Sequence, residues 1–324
     1  RCSEGSGWIA ARATVRPPKP ESNMPIGASR PAGIGSTIRL APLTYPCAVL
    51  LATVLALSAA VLHAGWNVAV KQSADRRTAM WGQFTMSGVA CALVLAGWAV
   101  VGDLPEIAWR WAALSGAMHV PYIALLASAY RRSDFSMSSP VARGLGALCA
   151  AFAGMAVLGD RLSPVSTVGV LVVGCGLMSL ARTGSWRELS PAIAVGLVVG
   201  AYPVVDAHGV RQSNAVGYTM AILVSAAVVT TAWLAMTTPR LVLPALRAQW
   251  RTMAVTGAAS TVAYAFVMAA LQHAPVGYVS ALREASVVIA AFAGWRLLDE
   301  GDHRRRIAAA SVVFSGLALL VGGR

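Results

Sequence analysis

The chain has 324 residues, of which 57% are hydrophobic and only 12% charged, where a soluble domain carries about 25% charged residues. That composition excludes an ordinary soluble domain and points to a polytopic membrane protein. The net charge of +13 is not a nucleic-acid signature, because the Lys and Arg fall in short segments between apolar runs, where they set topology, instead of forming one basic face.

Residues 1–44 are rich in Arg, Pro, Ser and Gly and lack apolar periodicity, so we expect a disordered basic tail. The sequence begins with Arg1, and Met24 offers an alternative start. From Tyr45 onward, apolar runs follow one another closely. They predict helices over 46–70, 78–101, 108–130, 137–158, 163–181, 190–209, 216–236, 250–271, 276–298 and 305–322, each near the roughly 20 residues that a bilayer requires. The expected fold is therefore an all-α integral membrane protein with ten transmembrane helices. Cys2, Cys47, Cys91, Cys149 and Cys175 show no ligand spacing; neither a disulfide framework nor a metal site is expected, and the cysteines in apolar runs read as small buried hydrophobes.

An internal repeat organises these runs. Arg143, six residues, then Ala150-Ala151-Phe152-Ala153-Gly154 recurs as Arg283, six residues, then Ala290-Ala291-Phe292-Ala293-Gly294. The offset is 283 − 143 = 140 residues. Val172-Val173 and Gly176-Leu177 recur at the same offset as Val312-Val313 and Gly316-Leu317, and Lys71-Gln72-Ser73 recurs as Arg211-Gln212-Ser213. The reading is two five-span units, 46–181 and 190–322. Five is odd, so the second copy enters from the opposite face, as in the inverted repeats of secondary transporters. At 1.5 Å per residue, each arginine lies roughly 9–10 Å below its own membrane face. Opposed in a core of about 30 Å, the two sit about 10–12 Å apart astride the midplane, where an alternating-access site belongs.

Intramembrane charges cost at least about 2.5 kcal/mol each and usually face a cavity or a partner. Arg143 and Arg283 are candidate anion-binding residues, since guanidinium suits carboxylate or phosphate. Glu284 and Asp206 are candidate coupling carboxyls. Glu284 need not pair with Arg283, because neighbours on a helix point about 100° apart. Asp206 follows Pro203, where a helix interruption exposes backbone. Trp66 and Asn67 near the end of the first span, with Tyr122 and Tyr264, complete the candidate substrate contacts; Tyr202 and Tyr278 are further tyrosines placed for a cavity. His119 and His273 lack metal spacing.

Leu62-His63-Ala64-Gly65-Trp66-Asn67-Val68-Ala69-Val70-Lys71 resembles the first-span signature of the EamA branch of the drug/metabolite transporter superfamily. Ala129-Tyr130-Arg131-Arg132-Ser133-Asp134 with Ser139-Pro140-Val141-Ala142-Arg143-Gly144, and Val276-Gly277-Tyr278-Val279-Ser280-Ala281-Leu282-Arg283-Glu284, resemble its third-to-fourth and eighth-to-ninth span junctions. The resemblance covers about residues 46–322. It implies ten helices in two inverted repeats, carrier-type transport of a small molecule, and a cavity lined by spans three, four, eight and nine. It implies a multi-pass protein of the inner (plasma) membrane, with lipid around it and a homodimer left open. It fixes no substrate.

The function read from these features is a secondary active transporter of a small metabolite, with proton coupling open. Two alternatives are an intramembrane enzyme acting on a lipid or peptide bond, and a non-transporting membrane binding protein. An enzyme would need a concentrated set such as a Ser/His pair or paired aspartates, which the sequence does not offer. No cofactor is expected, and no G-x-x-x-x-G-K-[ST] pattern points to ATP.

Orientation divides the signals. The loops after odd-numbered spans hold most of the Lys and Arg, which favours placing them in the cytoplasm, whereas the resemblance implies cytoplasmic termini. We follow the fold-wide topology. Single cysteines at positions 73 and 133, in a background without the native cysteines, are then expected to react with an impermeant reagent outside intact cells; labelling only after permeabilisation reverses the assignment.

Overall fold

The computed structural model describes residues 45–71, 73, 76–132, 135–179, 186–289 and 303–323. The basic tail, Ala290-Ala291-Phe292-Ala293-Gly294 and the pair Ser133-Asp134 lie outside the described residues.

Among the described residues the chain forms ten helices, joined mostly by short connections. They are α1 (Tyr45–Lys71), α2 (Arg76–Val101), α3 (Trp109–Arg132), α4 (Phe135–Leu158), α5 (Pro164–Met178), α6 (Trp186–Val210), α7 (Ala215–Thr237), α8 (Pro239–Leu271), α9 (Val276–Arg283) and α10 (His303–Gly322). Six of them, α1, α2, α4, α6, α7 and α8, are long and apolar enough to cross a membrane. The four others differ for separate reasons. α3 is long enough but carries polar residues such as His119 and Tyr122. α5 has 15 residues. α9 stops at Arg283, with Glu284 in a turn before residues 285–289 continue as helix. In α10 the apolar part, Ile307–Gly322, is short.

Two departures from the expected elements have physical causes. α8 begins at Pro239, well before 250, because the intervening stretch is amphipathic. Its Val242, Ala245 and Leu246 join Met253 against Trp81 and Leu234, while Arg240, Arg247 and Arg251 stay exposed. These arginines therefore lie on a helix and not in a loop. At 33 residues α8 is about 50 Å long, more than the roughly 30 Å hydrocarbon core. The second departure concerns the cysteines: of those in apolar runs only Cys91 is buried, while Cys175 is exposed.

Helix pairing follows a regular scheme. α1 packs on α8 and α3 on α6; α2 on α8 and α3 on α7; α4 on α6 and α1 on α9. The pairs α2–α7, α4–α9 and α5–α10 complete it. Exchanging α1–α5 for α6–α10 maps these contacts between the halves onto themselves, whereas the α7–α8 contact within the second half has no α2–α3 counterpart of like size among the described residues. The backbones of α5 and α10 approach closely. A Cβ on Gly169 would lie 2.8 Å from the Gly316 carbonyl oxygen, and one on Gly316 would lie 2.9 Å from the Gly169 carbonyl oxygen. Only glycine at both positions lets the two backbones touch.

One ion pair fixes the connection between α8 and α9. Gly159 ends α4 with φ +68°, a left-handed turn that costs glycine little, and Asp160 follows. Its Oδ2 accepts the Val276 backbone N–H at 2.6 Å, at the start of α9. Its Oδ1 pairs with Arg211 Nη1 at 2.8 Å. Arg211 in turn donates to the carbonyls of Leu271 and Ala274 at the end of α8. The acid thus meets the positive end of one helix and the cation the negative end of another. Asp160→Ala is expected to cost about 2–3 kcal/mol, the range for losing a charge-assisted hydrogen bond and its partner, and to lower the melting temperature in detergent by several degrees. Asp160→Asn, which still accepts from Val276, is expected to cost less. A wild-type melting temperature for Asp160→Ala sinks this account.

Candidate functional site

A cavity of about 80 Å³, open at its mouth, lies among α1, α2, α3, α6, α8 and α9. α1 brings His63 and Trp66 to it, which lie edge to face with ring centroids 4.8 Å apart. α2 brings Met80, Gln83 and Phe84. α3 brings Met118, His119 and Tyr122. His119 is held from several sides: its Nδ1 lies 2.9 Å from the Ser115 carbonyl oxygen, its ring meets Phe84 edge to face at 5.0 Å, and Tyr202 of α6 stands 5.8 Å away. Tyr264 of α8 and Arg283 at the end of α9 close the wall.

Arg283 and Glu284 do not pair with each other. Glu284 turns away from the cavity and is bound by Arg143 of α4, whose Nε donates to Glu284 Oε2 at 2.7 Å and whose Nη2 donates to the Ser286 hydroxyl at 2.5 Å. The side chains are only 26% and 11% exposed, so each ion answers a cost the other would carry alone. Arg283, about 100° round the helix, reaches the cavity. Its nearest hydrogen-bond partner among the described residues is the Tyr202 hydroxyl at 3.5 Å.

Asp206 lies behind the cavity wall and is fully buried. Tyr264 donates its hydroxyl to Asp206 Oδ2, so one side chain connects the cavity to this acid. No cation stands within ion-pair distance of Asp206 among the described residues. The Ser115 hydroxyl is the donor nearby for its Oδ1.

With this geometry in view, the EamA-like transporter family matches residues 187–322, from α6 to the end of α10. That stretch is similar to the EamA-like transporter family. The fold extends further. A solved crystal structure, described only as that of a protein, is 19% identical with a TM-score of 0.67, over 83% of this chain and 95% of its own. At that identity the likeness shows the fold alone. No curated protein matches the sequence.

The EamA-like half supplies Tyr202, Asp206, Tyr264, Arg283 and Glu284 to the site; the first half supplies the remaining wall. Of the residues expected from sequence, Trp66, Tyr122, Tyr264 and Arg283 line the cavity together. Arg143 and Asn67 are not among its lining residues. Arg143 is taken up by Glu284 and Ser286, and Asn67 donates back to the His63 carbonyl oxygen at 2.7 Å within α1. Tyr278 also turns elsewhere, with its hydroxyl 2.8 Å from Thr53 of α1. The expected lining by span four is not observed, because α4 presents Arg143 to Glu284. Trp66 of α1 and Tyr202 of α6 line the cavity as expected, while the contribution of α2 was missed, although Gln83 inside an apolar run was a readable signal.

The Arg143–Glu284 pair is expected to behave as a unit. Arg143→Gln and Glu284→Gln should each lower the melting temperature in detergent, and the double variant should recover part of the loss. The coupling expected is about 1–3 kcal/mol, as for groups in direct contact. Strictly additive losses contradict the pairing.

Proposed function

We propose that the chain is a secondary active carrier of a small metabolite. It is built as two five-helix units, 46–181 and 190–322, in an inverted repeat, with the cavity as its central site and Asp206 as its proton-coupling carboxyl. The self-mapping set of helix pairs and the 140-residue recurrence support the repeat. The EamA-like match supports transport. The family described is one of transporters, which favours a carrier over an intramembrane enzyme.

The observation that carries the coupling assignment is Tyr264, which lines the cavity and donates to Asp206. A carboxyl gains and loses protons, whereas a guanidinium stays charged at every working pH. Of the two intramembrane acids in the EamA-like half, Glu284 is occupied in holding Arg143. Asp206 has no such cation, and its surroundings change when the Tyr264 hydroxyl turns toward a substrate. Loading the cavity and protonating Asp206 then become linked events, which is what coupled transport needs.

Proteoliposomes with and without a pH gradient test this reading. Asp206→Asn is expected to abolish gradient-driven accumulation, leaving only passive equilibration, while exchange between equal internal and external pools persists. Glu284→Gln is expected to reduce both processes together, because it loosens Arg143 without removing the coupling acid. The reverse pattern assigns coupling to Glu284. Accumulation by Asp206→Asn at the wild-type level rejects the coupling role.

A further inference from the structure

The two arginines of the repeat are not in equivalent states. Arg143 has a carboxylate at 2.7 Å and a hydroxyl at 2.5 Å. Arg283 faces the cavity with only the Tyr202 hydroxyl at 3.5 Å, and no described lining residue is acidic. Inside an apolar bundle a guanidinium is normally answered by an anion. Here the anion's place is in the cavity.

The rest of the wall describes the body that the anion is attached to. Trp66, Phe84, Tyr202 and Tyr264 present rings, and Met80 and Met118 present thioethers, surfaces that pack well on a flat aromatic ring. One further polar group is uncommitted. Gln83 is 3% exposed, lines the cavity, and its amide oxygen has no hydrogen-bond partner among the described residues. Such an atom is costly to leave unmatched, and a hydroxyl on the bound ring would satisfy it.

Resting on the carrier reading above, we propose that the substrate is an aromatic monocarboxylate with a polar ring substituent: its carboxylate on Arg283, its ring among the aromatic and methionine side chains, its substituent toward Gln83. The same wall disfavours the alternatives. A dianion needs a second free cation, and Arg143 is already neutralised. An ammonium group, as in an amino acid or an amine, finds no described lining carboxylate and meets the charge of Arg283.

The test uses the purified full chain in detergent with four probes of one shape: 4-hydroxyphenylacetate, its neutral amide, tyramine and tyrosine. Thermal shift and quenching of tryptophan fluorescence report binding without requiring transport. Only the carboxylate is expected to bind well. Arg283→Gln is expected to weaken it by about tenfold or more, and Arg283→Lys by less, since Lys keeps the charge but not the planar fork. Gln83→Leu is expected to weaken 4-hydroxyphenylacetate while leaving phenylacetate unchanged. If Arg283→Gln does not fold, the wild-type probe series and the Lys and Leu variants decide the matter alone. Binding of none of the probes overturns the proposal, as does tyramine, tyrosine or the amide matching the carboxylate, or an Arg283→Gln affinity equal to wild type. Failure of the carrier reading looks different: the carboxylate binds but does not cross proteoliposome membranes. Flux of another compound class without carboxylate binding leaves the carrier standing and removes this substrate.

Discussion

The bundle depends on how it answers charge where water is scarce. The contact between Arg143 and Glu284 carries most of that burden. It joins α4 to the end of α9, uses the guanidinium fork on a carboxylate and on Ser286, and so ties one half of the chain to the other. It also coincides with the break in the ninth span. The Glu284 N–H is shared between the carbonyls of Ala281 and Leu282, and Val287 N–H returns to the Glu284 carbonyl at 2.9 Å, the tightened pattern of a local 3₁₀ turn. A residue that must aim its carboxylate out of the cavity sits in that turn. Its neighbour Arg283 is thereby aimed in.

This arrangement makes two copies of one sequence pattern unequal. The counterpart of Glu284 is residue 284 − 140 = 144, which is Gly144. A Cβ there would lie 2.6 Å from the Gly174 carbonyl oxygen, so α4 and α5 meet where a side chain would be. The molecule therefore has two repeat arginines and one repeat acid. A second acid would have left both arginines neutralised. With one repeat acid, one repeat arginine is left without an ion pair among the described residues, and it is the one that faces the cavity.

Much of the fold was readable because apolar runs of bilayer length have few alternatives. The start of α8 was not, since residues 239–251 carry three arginines, Arg240, Arg247 and Arg251, that read as a loop between apolar runs. At the site, the divergence of Arg283 from Glu284 followed from helix geometry alone. The partner of Glu284 did not, because it depends on which face α4 turns to α9. Asp206 and Tyr264 are likewise 58 residues apart and share no local pattern. The Asp160–Arg211 clamp was missed for another reason: Arg211 looks like a topology-setting loop charge until the ends of α8 and α9 are seen beside it.

The contact of α5 with α10 carries a consequence for sequence change. Where a large side chain meets a small one, a gain of volume on one side can be offset by trimming the other. Gly169 and Gly316 allow no such exchange, because each faces backbone and neither can be reduced further. A methyl group added at either site has to push two helices apart, with the cost of about 1–3 kcal/mol typical of overpacking. The two positions touch, yet neither can rescue the other. They should behave genetically as two independent lethal-or-silent sites and leave no trace of covariation, although they touch across the seam.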